Sequence, residues 1–250
     1  MLKTLVITVL ISQAAGPLSG QTLARRIGAV ADGTVRLSFA ARPGVCGQGG
    51  NSINISNATD EWEPDCGPRL VRVALHLGDR RVQSVRTYVG GQWLSDPRAV
   101  DLGTVSSSEA ARYFLDLAQG TGQGTSDDED LLLPAVLADS ITVWPSLVKI
   151  ARSSRSSDEL RRRAIFWLGQ AAGEAAGLAL DSIAGDDRGD REVRKQAIFA
   201  LSQRSSNEAV PALIRIARTN DDPELRRTAL FWLGQSEDPR ALTLFEEILK

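Results

Sequence analysis

The groups through which this chain could do acid–base, thiol or metal chemistry are few: one histidine, two cysteines and some clusters of carboxylates. His76 sits among apolar neighbours in an alternating stretch, on its polar side, so it reads as an exposed strand residue. A lone imidazole can form no His pair for a metal, and it is the chain's one imidazole base. Cys46 and Cys66 stand in a stretch rich in Gly, Asn and Asp, and neither has a second Cys or a His at zinc-ligand spacing. They are expected to form one disulfide, worth about 3 kcal/mol in the chain-entropy model, which leaves no thiol nucleophile. Asp186, Asp187 and Asp190 lack the alternating spacing of a calcium loop. The run Gly120-Thr-Gly-Gln-Gly124 follows a helical pattern and lacks the Lys-Ser or Lys-Thr of a phosphate cradle, so it reads as a linker. No catalytic residue, cofactor or metal is expected.

Two other chemistries remain open as alternatives. Asp60, Glu61, Glu63 and Asp65 form a carboxylate cluster that could serve an enzyme, or enzyme subunit, with its site in a groove between an N-terminal β unit and the first helical hairpin. Trp62, Tyr88 and Trp93 could instead serve a small-ligand or glycan-binding module.

The chain as a whole has a content of 42% hydrophobic residues, enough for packed cores. Lys and Arg number 29 against 31 Asp and Glu, a net charge of −2 that gives no bulk attraction to nucleic acid, and no nucleic-acid partner is expected. Residues 1–20 have the order of a signal peptide: Lys3, an apolar run from Leu5 to Ile11, then small residues ending at Gly20. An uncleaved anchor helix or a buried first strand is the competing reading. No later stretch is apolar enough to cross a bilayer. The expected location is secreted or periplasmic, where cysteines oxidise.

The elements that must position any site divide the chain in two, and the fold class is α+β. Residues 21–105 are expected to form a small antiparallel β domain with the one disulfide. Val35, Leu37 and Phe39 alternate with Arg36 and Ser38, and Val71, Val73, Leu75 and Leu77 alternate with Arg72 and His76. Gly78 and Asp79 mark a hairpin turn into a strand from Val82 to Val89. The segment Gly44 to Pro68 reads as a long loop. Residues 106–126 are expected to be a capping helix and a Gly-rich joint, and residues 127–250 a helical solenoid. Helix starts are marked by capping boxes at Ser106/Glu109, Ser126/Glu129, Ser156/Glu159 and Ser205/Glu208, and by Asp222-Pro223 and Asp238-Pro239.

The solenoid rests on an internal repeat. Glu159-Leu-Arg-Arg-Arg-Ala-Ile-Phe-Trp-Leu-Gly-Gln170 returns as Glu192-Val-Arg-Lys-Gln-Ala-Ile-Phe-Ala-Leu-Ser-Gln203 and as Glu224-Leu-Arg-Arg-Thr-Ala-Leu-Phe-Trp-Leu-Gly-Gln235. Trp144-Pro-Ser-Leu-Val-Lys-Ile-Ala-Arg152 likewise matches Val210-Pro-Ala-Leu-Ile-Arg-Ile-Ala-Arg218. About four hairpins follow: 127–153, with a divergent leading helix, 158–185, 191–219 and 222–250. Val193-Arg194, Ala197 and Ala200-Leu201 resemble the core of HEAT repeats, especially the short form known from phycobilisome lyases. The resemblance covers residues 127–250 and implies an α-solenoid used chiefly to bind protein; residues 21–105 resemble no family.

On a helical wheel Val193, Ala197, Ala200 and Leu201 form the core stripe. Arg161, Arg194 and Arg226 recur at one position and would form a ladder, meeting carboxylates such as Asp158, Glu192, Asp221 or Asp222, as structure or as a ligand site. Phe166, Phe199 and Phe231 recur nearly opposite the core stripe. They either pack between repeats or, with Trp167 and Trp232, make an apolar docking strip. The function expected is a non-catalytic adaptor or scaffold for another protein.

Overall fold

The computed structural model describes residues 22–49, 53–55, 69–120, 130–171 and 173–249. The N-terminal part begins with a helix, α1 (Leu23–Gly28), and contains strands β1 (Gly33–Ala40), β4 (Leu70–Gly78), β5 (Arg81–Val89) and β6 (Val100–Thr104). A two-stranded ribbon, β2 (Val45–Gly47) with β3 (Ile53–Ile55), lies within the stretch expected to be loop.

The four-stranded sheet runs β5-β4-β1-β6. Its first three strands are antiparallel, with Val35 opposite Leu75 and Leu75 opposite Val85. The last is not: β6 lies parallel to β1, so the sheet is mixed, a correction to the all-antiparallel unit. The strand Val-Asp-Leu-Gly-Thr is too short and too exposed for its alternation to signal a parallel edge. The β4–β5 hairpin turns on Asp79 and Arg80, both with positive φ, +54° and +60°, the backbone of a two-residue I′ turn. At the far end of β5, Gly90 has φ +69°, and a Cβ there would stand 2.3 Å from the Gly47 carbonyl oxygen. The paired glycines of the Tyr88–Trp93 run therefore serve close backbone crossing between β2 and β5.

Val35, Leu37 and Phe39 of β1 and Val71, Val73 and Leu75 of β4 are wholly buried; α2 (Ser107–Gly120) and α3 (Leu133–Leu137) pack against the sheet, and α1 packs against α2. The Ser106 hydroxyl caps α2 by accepting from the Glu109 N–H at 3.2 Å. Glu109 does not close the expected box but accepts instead from the Leu23 N–H at 2.8 Å, tying α1 to α2. On the sheet's other side Ser38, read as a polar-face residue, is buried against Thr104, with the two hydroxyls 3.1 Å apart.

The leading helix of the first hairpin, α3, is barely more than one turn, and the sheet holds it. The Arg42 N–H donates to the Leu137 carbonyl at 2.8 Å, and the Asp139 N–H to the Ala40 carbonyl at 3.0 Å. From there α4 (Trp144–Arg152), α5 (Asp158–Gln170), α6 (Glu174–Ala184), α7 (Arg191–Ser202), α8 (Ser206–Thr219), α9 (Pro223–Gly234) and α10 (Pro239–Ile248) stack in two layers. The repeated motif builds one layer, α5-α7-α9, and α4, α6, α8 and α10 build the other. Small residues set the spacing: a Cβ on Gly169 would stand 3.2 Å from the Ala200 Cβ, so α5 and α7 come close together there. Asp190, Asp222 and Asp238 cap α7, α9 and α10 through their carboxylates. For α5 the cap is Ser157, one residue later than expected, and Ser205 makes no side-chain cap to α8. One buried cluster runs from Leu23 to Leu244, continuous from sheet to last hairpin.

Candidate partner-binding face

Arg161, Arg194 and Arg226 occupy equivalent positions on α5, α7 and α9 but do three different things. Arg161 pairs with Asp158 of its own helix. Arg194 is buried: its Nε donates to the Ala184 carbonyl at 3.0 Å, and its Nη2 to Asp187 and to the Asn220 side-chain oxygen, both at 3.2 Å. Arg226 donates Nη1 to the Asn220 and Asp221 carbonyls at 2.6 and 3.0 Å. The carboxylates Glu192 and Asp222 are thus not the ladder's partners. Asn220, which sequence reasoning missed, joins two rungs, and its place in a polar Thr-Asn-Asp-Asp turn gave no signal of burial. Arg204 was missed as well. Withdrawn between repeats, it pairs with Glu208 at 2.5 Å and caps the end of α5 by donating to the Ala171 and Gly173 carbonyls, each at 2.8 Å.

Phe166, Phe199 and Phe231 lie on the outer side of the α5-α7-α9 layer and are 52%, 39% and 58% exposed. Trp232 is half-buried beside them, its ring 5.1 Å from both Phe199 and Phe231. Trp167 does not belong to an exposed strip, a correction: it is 7% exposed, and its Nε1 donates to Asp130 at 2.6 Å beneath Phe166. The identical Phe-Trp pair has two fates because α5 has the first, sheet-anchored unit packed at its side.

Four residues before each Phe, one turn along the same helix face, stand Arg162, Lys195 and Arg227. Each is paired within its helix, Arg162 with Glu159 and Arg227 with Glu224 at 2.6 Å, and Lys195 with Glu192 at 3.4 Å. Lys195 also reaches Glu224 of the next repeat at 3.3 Å. Hydrogen bonds from Arg162 hold the Glu159 carboxyl below its ordinary range, and those from Arg227 and Lys195 do the same for Glu224. Beneath the surface, burial pushes the Asp130 carboxyl up, against the hydrogen bond from Trp167. The face is therefore a row of exposed aromatics beside a row of neutralised ion pairs, chemistry suited to apolar contact and not to proton transfer.

The remaining residues singled out from sequence are dispersed. Cys46 is half-buried in β2; Cys66, Trp62, Asp60, Glu61, Glu63, Asp65 and the Gly-rich joint lie outside the described residues. Tyr88 and Trp93 meet edge to face at 6.0 Å, and the Arg36 guanidinium lies 4.9 Å over Trp93. His76 is exposed, with Nδ1 3.4 Å from the Thr34 hydroxyl. Asp190 is a helix cap and Asp187 pairs with Arg194, and no group of three metal-ligating side chains occurs among the described residues. No described helix is long and apolar enough to cross a membrane. A cleft does open between the end of β1 and the first hairpin, but among the described residues no carboxylate lines it.

Residues 145–230 and 182–250 match the family model for HEAT repeats. The C-terminal helical region is thus an array of HEAT repeats, of a kind that commonly mediates protein–protein contact and is typically non-catalytic. No curated protein matches the chain.

Proposed function

We propose that this protein is an exported, non-catalytic adaptor that holds another protein along the outer side of the α5-α7-α9 layer. The observation that carries this reading is the recurrence of an exposed phenylalanine at one position in three successive repeats. Phenylalanine is rare on a solvated face, and a row of it in register offers a strip that a partner's apolar segment can cover. Each Phe has a paired cation beside it, so the partner is selected by apolar fit more than by charge.

The test places a photoreactive side chain at Phe199 or Phe231, and at Leu178, which is at least as exposed but lies on α6 in the other layer. Irradiation in extract of the native source should yield one defined adduct from the two Phe positions and none from Leu178. The triple substitution F166S/F199S/F231S should abolish the adduct formed from a probe at Trp232 while circular dichroism shows the helices retained. Equal adducts from Leu178, or an adduct only with a second copy of the chain, would overturn the adaptor reading.

Export is the second half of the proposal. It is supported by the order of residues 1–20 and by Cys46, which is not a free thiol. N-terminal sequencing of the native protein should begin at Gln21, and iodoacetamide should label neither cysteine before reduction. A chain beginning at Met1 with two reactive thiols would refute it.

A further inference from the structure

The cleft between the end of β1 and the first hairpin has a volume of about 250 Å³, with Ile141, Trp144, Leu147 and Trp167 among its walls and Arg42 on its lining. Backbone bonds hold Arg42 in place, since its N–H is bonded to the Leu137 carbonyl and its neighbour Ala41 bridges to Ala138. Among the described residues its guanidinium has no counter-charge. Nε is buried without a hydrogen-bond partner, and burial alone pulls the group below its ordinary pKa, with no carboxylate acting on it among the described residues. Arg194 and Arg204, also withdrawn from solvent, are each tied to a carboxylate.

A half-buried, unpaired cation costs stability, and the indole walls beside it form a low-dielectric surround in which an anion is attracted more strongly than in water. The α4 helix begins at the same cleft with no side chain capping its first turn, which adds to the positive potential. Trp167 is both a wall of the cleft and the ring under Phe166, at 5.0 Å, so the cleft adjoins the first rung of the aromatic row.

The geometry points to a carboxylate-binding site: Arg42 takes, in fork geometry, a carboxylate carried beside an apolar group of the partner protein, with Trp144 and Trp167 against that group. The source of the ligand rests on the function proposed above; its chemistry does not. A chain terminus and an acidic side chain offer the same group, and the test separates them.

The full-length chain is titrated with three probes: N-acetyl-leucine, a terminal carboxylate beside an apolar side chain; N-acetylglutamate α-amide, a side-chain carboxylate; and neutral N-acetyl-leucinamide. The readout is the indole N–H resonances of Trp144 and Trp167, assigned by their loss in Trp144→Phe and Trp167→Phe. At least one carboxylate should shift both signals saturably while the neutral amide does not. A response to N-acetyl-leucine alone identifies a chain terminus, and one to the glutamate probe alone an acidic side chain. Arg42→Met should weaken binding about tenfold or more, the loss of a charge-assisted hydrogen-bond pair. Arg42→Lys, which keeps the charge and loses the fork, should fall between and keeps the test open if the Met variant fails to fold. Binding unchanged in either variant, equal binding of the neutral amide, or no saturable shift from any probe overturns the assignment. Loss of the Phe-row adduct would leave these titrations unmoved, so the two proposals fail separately.

Discussion

Replacing each rung of the arginine series by methionine keeps the apolar stem and removes the guanidinium, and the three sites should respond very differently. Arg194→Met removes three hydrogen bonds at a site that is 5% exposed; it leaves the Ala184 carbonyl short of a donor, while the Asn220 side-chain oxygen keeps the Asp222 N–H. With bonds lost to Asp187, which is largely exposed, and to Asn220, and with the buried Ala184 carbonyl stripped of its donor, the cost comes to about 3 kcal/mol. Arg226→Met removes two bonds to loop carbonyls that water can partly replace, a cost of about 1 kcal/mol. Arg161→Met loses one ion pair inside its own helix, to a carboxylate of Asp158 that water can solvate, and strips no buried acceptor, so it should cost least. Thermal unfolding of the full chain, followed at 222 nm, should lower Tm by roughly 6–12 °C for the first and roughly 2–4 °C for the second. Because Arg194 bridges α6 to the turn before α9, hydrogen exchange should also quicken on both sides of the substituted helix. If all three variants lose the same stability, position in the repeat and not local burial governs these residues, and the reasoning fails.

Trp167→Phe should destabilise by about 2 kcal/mol through the loss of the indole hydrogen bond to buried Asp130, which keeps the Leu132 N–H and the more distant Arg163, whereas Phe166→Ser, one residue away but half exposed, should cost about 1 kcal/mol; urea midpoints compared at equal m-value decide between them. Asp130 has its folded-state pKa raised, so its contribution is fully present below the unfolded value and is lost as pH rises through the folded one. The stability of Asp130→Asn relative to the parent should therefore grow on going from pH 4 towards neutrality; a pH-independent difference would refute the burial argument. Asp238, held down to about 2 by Arg240, acts in the opposite sense: its stabilisation is present above the unfolded pKa and is lost as pH falls from about 4 towards 2, a loss that Asp238→Asn should not show. Arg80→Gly should raise stability by about 0.5–1 kcal/mol by relieving positive φ in the β4–β5 turn, measured as an upward shift in Tm.

Much of the architecture is legible in the residues because it is periodic. The Glu159, Glu192 and Glu224 motifs locate α5, α7 and α9, and the Pro-containing copies locate α4 and α8, since local capping and a 3.6-residue stripe suffice to write a helix. The hairpin of β4 and β5 is equally local. What escaped is non-local: α1 is too short to show a period, β6 pairs in parallel with a strand more than sixty positions earlier, and β2–β3 is a ribbon of three residues a side. The functional face was half legible. Spacing put Phe166, Phe199 and Phe231 on one row, and nothing in spacing could say whether a neighbouring helix covers that row or water does.

The sequence by itself determined the repeat, the register in which equivalent side chains stack, and the scarcity of catalytic groups. The tertiary structure alone decided burial. It sank Trp167 under the sheet-anchored first unit and left Trp232, in the same motif, half in solvent beside Phe199; it made Arg194 a buried bridge and left Arg161 with a pair inside its own helix; and it set Arg42 in a cleft with no counter-charge among the described residues. The reason is physical: a repeat unit fixes which atoms a side chain carries, but desolvation and partner choice depend on what the other elements place within a few ångströms, which no local pattern encodes.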